Sequence, residues 1–227
     1  MNDGAMSDGA LVRAEPPGPL YRLVDALLVA PVFHGLLQGR FSGREHVPAG
    51  GPLVVVANHG SHLDPPLLAH ALMPRPLSFM AKQELFRVPL LAPLIRALGA
   101  YPVQRGRGDR DALETALDLL RQGGATAVFL DGTRQTSGRV ERPQLGAALL
   151  AAGSGAQLLP VALVNTHRVL GAHQRRPRLL PVEVRIALPL PPPPSGRRAD
   201  LLACTRACQA AINGLLDGAV PPAGLDR

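Results

Sequence analysis

Short apolar runs of strand length alternate with helix-length patterns along most of this chain. Expected strands are Leu53–Ala57, Leu77–Ala81, Tyr101–Val103, Ala125–Leu130, Leu158–Val164 and Val182–Leu188. Expected helices are Pro65–Met73, Pro89–Leu98, Asp111–Arg121, Leu145–Ala152 and Ala199–Leu216. Asp109 stands where it would cap the third of these helices, and Gly123-Gly124 where it would end it. The alternation predicts an α/β domain with a mixed, largely buried central sheet flanked by helices. Pro160 has no N–H to give a sheet, so its run predicts a bulge or an edge strand. With 227 residues, 46% of them hydrophobic, the chain can bury one core of moderate size.

The two ends read differently. Residues 1–19 are polar, small and Pro-rich, with acidic residues where a cationic leader would begin, and predict a disordered tail without a signal peptide. Residues 20–41, "LYRLVDALLVAPVFHGLLQGRF", form an apolar run broken by Arg22, Asp25, Pro31 and His34. That pattern predicts a short amphipathic helical segment lying on protein or membrane, not a spanning helix. The main domain is expected over 42–217, with a polyproline connector at Pro189–Arg198, and a disordered tail over 218–227.

Lys+Arg number 24 against 17 Asp+Glu, a net charge of +7, which favours an anionic partner. Aromatics are 3% and Trp is absent, so stacking platforms for nucleic acid are scarce and no nucleic-acid role is expected. Cys204 and Cys208 lie four apart in a helical pattern without a matching Cys/His pair. They predict small buried side chains; no metal site is expected.

Four stretches concentrate chemistry. In "VVVANHGSHLD" an apolar run ends at Asn58-His59, and Asp64 follows five residues on. On a helix, five residues turn about 500° and leave the pair about 140° apart; on a strand they face opposite ways. A strand ending near His59, a turn through Gly60-Ser61 and a helix starting at Asp64-Pro65 would let them meet. Met in that way, the carboxylate would orient the imidazole as a general base. The same residues also fit a helix cap at Asp64 and a hydrogen-bonded turn at His59. His62 is a rival base, but inside the turn it has no evident partner. In "GAYPVQRGRGDR" a short strand leads to Arg105, Arg107 and Arg110 among glycines, a pattern suited to phosphate, although a solvated basic loop accounts better for Arg107 and Arg110. In "AVFLDGTRQTSGR" a strand runs into Asp131-Gly132-Thr133-Arg134. "FLDGT" invites comparison with haloacid-dehalogenase-type phosphatases, but Phe129 stands where their nucleophile would be. What remains is a glycine turn with carboxylate, hydroxyl and guanidinium at one strand end. The fourth stretch is "LLPVALV".

These stretches, in this order, resemble the glycerolipid acyltransferase family, the bacterial 1-acyl-glycerol-3-phosphate acyltransferases in particular. Asn58-His59-x-Ser61-x-x-Asp64 is similar to its first motif. Phe79 to Gly106 is similar to the segment carrying the second, whose Gly and Arg fall on Gly99 and Arg105. "FLDGTR" stands where the family has Phe-Pro-Glu-Gly-Thr-Arg, and Leu159-Pro160-Val161 where it has its fourth. Asp131 and Leu130 depart from the family's Glu and Pro, and Gln144 stands where many members carry Lys, with Arg142 nearby.

The resemblance implies a glycerolipid acyltransferase-like fold and direct acyl transfer. His59 and Asp64 would be catalytic. Asn58, Gly99, Arg105, Asp131, Gly132, Thr133 and Arg134 would bind substrate. The donor would be acyl-CoA or acyl carrier protein and the acceptor a lysophospholipid, giving phosphatidic acid in phospholipid synthesis, with no cofactor and no metal. Membrane lipids would be partners, and the protein would be peripheral or monotopic on the cytoplasmic face. Alternatives are another lysolipid or lipid alcohol as acceptor, a catalytically silent basic membrane-surface module, or a thioester hydrolase. The last would need a Gly-x-Ser-x-Gly elbow or a second base, and neither is evident.

Overall fold

Leu53 to Ala57 are fully buried, and their side chains divide between two cores: Leu53, Val55 and Ala57 on one side, Val54 and Val56 on the other. An unbroken apolar run is what a strand covered on both faces requires. The computed structural model describes residues 18–89, 91–103, 109–171, 174, 176–218 and 225–226. In chain order the elements are α1 (Pro19–Leu36), β1 (Arg40–Ser42), β2 (Leu53–Ala57), α2 (Asp64–Ala71), β3 (Ser78–Lys82), α3 (Leu91–Ala97), β4 (Ala100–Val103), α4 (Asp109–Arg121), β5 (Ala125–Phe129), α5 (Gly146–Ser154), β6 (Gln157–Val164), α6 (Thr166–Val169), β7 (Glu183–Ile186), α7 (Arg198–Leu216) and β8 (Leu225–Asp226).

The strands form one sheet in the order β4-β3-β5-β2-β6-β7-β1-β8. The first five are parallel neighbours; β7 runs antiparallel to β6, β1 parallel to β7, and β8 antiparallel to β1. One face is covered by α1 and α2 through Phe33, Leu67 and Leu68, the other by α4, α5 and α7 through Leu120, Leu150 and Ile212. The mixed, buried sheet flanked by helices is the expected class. Cys208 belongs to the second core, and Cys204 is half-buried beside it.

Three details differ from the sequence reading. Arg40–Ser42, which begins inside the segment expected to be helical, is instead a strand on β7. Within the expected C-terminal tail, Leu225–Asp226 pairs with β1. Pro160 sits in an interior strand: β6 lies between β2 and β7. Its carbonyl accepts from the Ala187 N–H at 2.9 Å, just past the end of β7. The missing proline N–H therefore forfeits only the reciprocal bond, beyond the regular ladder.

Helix α1 buries Tyr21, Asp25, Val29, Phe33 and Leu37 at every fourth position. In an α-helix such a stripe drifts, because one turn takes 3.6 residues. The wider π-turns at Asp25–Val29 and Pro31–Leu36 offset the drift and keep the stripe on the domain. The opposite face leaves Leu20, Leu23, Leu27, Leu28 and Leu36 more than half exposed. The helix is 18 residues long and apolar enough to cross a bilayer by length and composition, yet its inner face is fastened to the protein. Asp25 Oδ1 lies 2.8 Å from His70 Nδ1 near the end of α2, and His70 Nε2 lies 3.2 Å from His34 Nε2. Phe33 stacks on Phe41 with ring centroids 4.4 Å apart, sealing this contact.

Candidate active site

β2 and β5 are parallel neighbours paired Ala57 with Phe129, so both chains leave the sheet at the same edge. The pairing continues past the strands: Leu130 N–H donates to the Ala57 carbonyl at 2.9 Å and Gln135 N–H to that of His59 at 2.7 Å. The turn after β2 and the turn after β5 are thereby held side by side. In open α/β sheets this carboxyl edge is where ligands bind.

His59 Nδ1 lies 2.8 Å from Asp64 Oδ2. The strand breaks at His59 and α2 begins at Asp64, as the spacing demanded. Asp64 is fully buried, and the same oxygen accepts the Gly60 and Ser61 N–H groups, each at 2.8 Å. It thus fastens the turn behind it; no side-chain bond caps the start of α2. With Asp64 as acceptor, Nδ1 carries the ring proton and Nε2 keeps its lone pair. Among the described residues no hydrogen bond occupies Nε2. One ring face lies on Phe129, centroids 4.0 Å apart and planes 17° from parallel. The imidazole is thus fixed by a bond at one edge and a stack on one face. Ser61 completes the turn, donating to the Leu170 carbonyl at 2.8 Å. Gly60 is needed for a close approach: a Cβ there would stand 2.5 Å from that of His167. Burial pulls the His167 imidazole below the ordinary histidine range, with Arg168 adding to the shift.

The remaining expected site residues divide. Asn58 is fully buried; its amide donates to the Gly138 and Leu163 carbonyls at 2.7 and 3.0 Å and accepts the Leu163 N–H at 2.8 Å. The substrate contact expected of it is therefore corrected to a clasp joining β2, β6 and the Gly138 turn. Gly99 precedes β4, on the edge of the sheet opposite His59. Its φ of +80° and a would-be Cβ 2.4 Å from the Leu77 carbonyl explain the glycine as a turn requirement, not a ligand contact. Asp131 is also turned inward: Oδ1 accepts the Glu141 and Arg142 N–H groups at 3.1 and 2.6 Å. The family's longer Glu is not needed for that reach. Burial raises the Asp131 carboxyl above the ordinary carboxylate range, against the two backbone donors that lower it.

Gly132 and Thr133 are exposed, and half-buried Arg134 meets His62 Nε2 across the mouth beside His59. Arg105 and Arg107 lie outside the described residues. The stack of Phe129 and the Arg134 partner of His62 follow only from the pairing of β2 with β5. Among the described residues no group of three or more His, Cys, Asp or Glu side chains is arranged to hold a metal ion.

The Acyltransferase family pattern matches residues 38–164. A 1-acyl-sn-glycerol-3-phosphate acyltransferase of Chlamydomonas reinhardtii is 31% identical over 179 residues, covering 76% of this chain and 52% of the relative. One from Bacillus subtilis is 30% identical over 119 residues, covering 52% of this chain and 59% of the relative. A chloroplastic one from Arabidopsis thaliana is 30% identical over 131 residues, covering 56% and 36%. The chain spans about half the length of the curated relatives it matches. Among solved structures, the 1-acyl-sn-glycerophosphate acyltransferase PlsC of Thermotoga maritima superposes with a TM-score of 0.67 at 25% identity, over 80% of this chain and 71% of that one.

Proposed function

We propose a function from one premise: the chain belongs to the acyltransferase family. The protein transfers a fatty acyl group from a thioester, acyl-CoA or acyl carrier protein, to the free hydroxyl of 1-acyl-glycerol-3-phosphate, forming phosphatidic acid. The observation that carries this reading is the His59–Asp64 pair at the carboxyl edge of β2, with Nε2 unoccupied. Nε2 takes the hydroxyl proton as the oxygen attacks the thioester carbonyl. A C–O bond forms, the C–S bond breaks, and the proton passes from imidazolium to the leaving thiolate. Asp64 holds the tautomer and stabilises the imidazolium while it lasts. No covalent acyl-enzyme is required.

Arg134 and the exposed Gly132-Thr133 turn, with Arg105, would hold the acceptor's phosphate. The exposed leucines of α1, on a protein of net charge +7, suit an anionic bilayer surface, and the reading is peripheral or monotopic on the cytoplasmic face. Complete release from vesicles by salt alone would rule out insertion of those leucines. The central test supplies labelled thioester and lysophosphatidic acid to the purified protein. Product in wild type and its loss in His59→Ala are expected; equal product in both would remove His59 as the base.

One observation favours a second reading of the acceptor. Asp131, in place of the family's Glu, spends its bonded oxygen on backbone amides instead of facing the mouth. Another lysolipid or lipid alcohol is then the acceptor, and a panel of acceptors separates the two.

A further inference from the structure

We propose that His62 is a second ligand for the acceptor's phosphate and takes up a proton as that phosphate binds. The inference rests on the phosphate-bearing acceptor proposed above and deepens it.

His62 sits on the turn between β2 and α2, three residues past His59, with its side chain exposed. Its Nε2 meets an Arg134 guanidinium nitrogen from the turn after β5. A guanidinium only donates, so the contact requires a lone pair on Nε2 and hence a neutral ring. A protonated ring there would set cation against cation. The titrating and charged groups around it agree: burial, then Arg134, then His59 at the end of β2 hold His62 below the ordinary histidine range, and Asp64 on α2 opposes them.

An arginine whose N–H points at a neutral imidazole is an anion site only half charged. A phosphate oxygen arriving between the two gives the guanidinium a better acceptor and frees the Nε2 lone pair. The anion's field then favours the imidazolium, which takes one proton from solvent and donates its new N–H to the phosphate. No covalent bond is made or broken. A lipid alcohol without phosphate brings no field and no acceptor oxygens, so it induces no uptake. The pair thereby distinguishes lysophosphatidic acid from monoacylglycerol, and it does so beside His59. It also gives His62 the partner that the sequence did not disclose.

The test compares wild type, His62→Gln and His62→Ala. Labelled acyl thioester is presented with phosphatidylcholine vesicles carrying either lysophosphatidic acid or monoacylglycerol, from pH 5.5 to 8.5. In both variants the ratio of kcat/KM for the phosphate-bearing acceptor to that for the alcohol falls about tenfold, mainly through KM, as loss of a charge-assisted hydrogen bond predicts. Between the lowered value of free His62 and its raised value in the complex, the wild-type KM for lysophosphatidic acid climbs with pH by up to about tenfold per unit. His62→Gln retains the titration of the phosphate itself but loses this climb. An unchanged ratio together with a wild-type pH dependence in His62→Gln overturns the inference. Equal losses on both acceptors, carried by kcat, also overturn it and make His62 a support for His59. A wild-type enzyme that acylates monoacylglycerol as well as lysophosphatidic acid overturns the acceptor assignment itself, and this inference with it.

Discussion

His59 and His70 each place Nδ1 2.8 Å from an aspartate oxygen, Asp64 for one and Asp25 for the other. Their side chains are similarly sheltered, 18% and 12% exposed. The difference lies on the far nitrogen and behind the carboxylate. His70 Nε2 faces His34, in a nest of Phe33 and Phe41 rings. His59 Nε2 has no such neighbour among the described residues, its ring is backed by Phe129, and its carboxylate is anchored by two main-chain amides. One pair is a fastener with both ends occupied. The other is held as firmly but leaves a lone pair available. A His–Asp bond alone does not mark a base; the state of the second nitrogen does.

That contrast can be broken most forcefully by exchanging the histidines for alanine. His59→Ala should lower kcat about 10³-fold, within the range for a lost general base, with little change in Tm. His70→Ala should keep kcat within about tenfold but cost about 1–3 kcal/mol in urea unfolding, because Asp25 is left sheltered without its partner. A reversed order of effects would exchange the two roles. Next in size is Asp64→Asn. The amide keeps an oxygen for the ring and the two N–H groups but loses the charge that stabilises the imidazolium, so kcat should fall about 10²-fold. Asp25→Asn should move stability more than kcat.

Phe129→Ala tests the stack. Loss of an aromatic contact worth about 0.5–1.5 kcal/mol should reduce kcat about fivefold, leave KM nearly unchanged, and be rescued by Tyr. The smallest effect concerns Asp131. Its carboxyl is raised on folding, so between the ordinary carboxylate value and the raised one the folded chain binds more protons than the unfolded. Stability therefore falls as pH rises through that window. Asp131→Asn should flatten this slope, seen as a relative shift of about 2 °C in Tm between pH 4 and pH 7.

The sequence made the centre of the molecule legible and the margins much less so. Leu53–Ala57 reads as a buried strand because every residue is apolar, and Pro65 marks the start of α2 to within a residue. For His59 and Asp64 the strand, turn and helix allowed a pair but equally an idle cap, and only the resemblance carried by the later stretches chose between them. Arg40–Ser42 could not be read as a strand: three residues carry no period of their own, and their pairing with β7 is with residues about 140 positions away. The roles of Asn58, Gly99 and Asp131 were misread for a related reason. A motif names residue types near a site, but only the sheet order shows which of them turn inward. The stack of Phe129 and the partner of His62 were missed because the contacting residues are 70 and 72 positions away in sequence.

The eight residues of α2 begin with Asp64 and end just past His70. At a rise of about 1.5 Å per residue, this is a rod of about 12 Å whose two ends are bolted, one to His59 and one to α1. Were α1 to lie on a leaflet, as proposed, the height of the His59 ring above the acyl chains would be set by that rod and not by a pliable loop. Acceptors would then be sorted by altitude as well as by charge: a hydroxyl on the glycerol backbone would be presented at one height, and a hydroxyl on a longer stalk would overshoot the nitrogen.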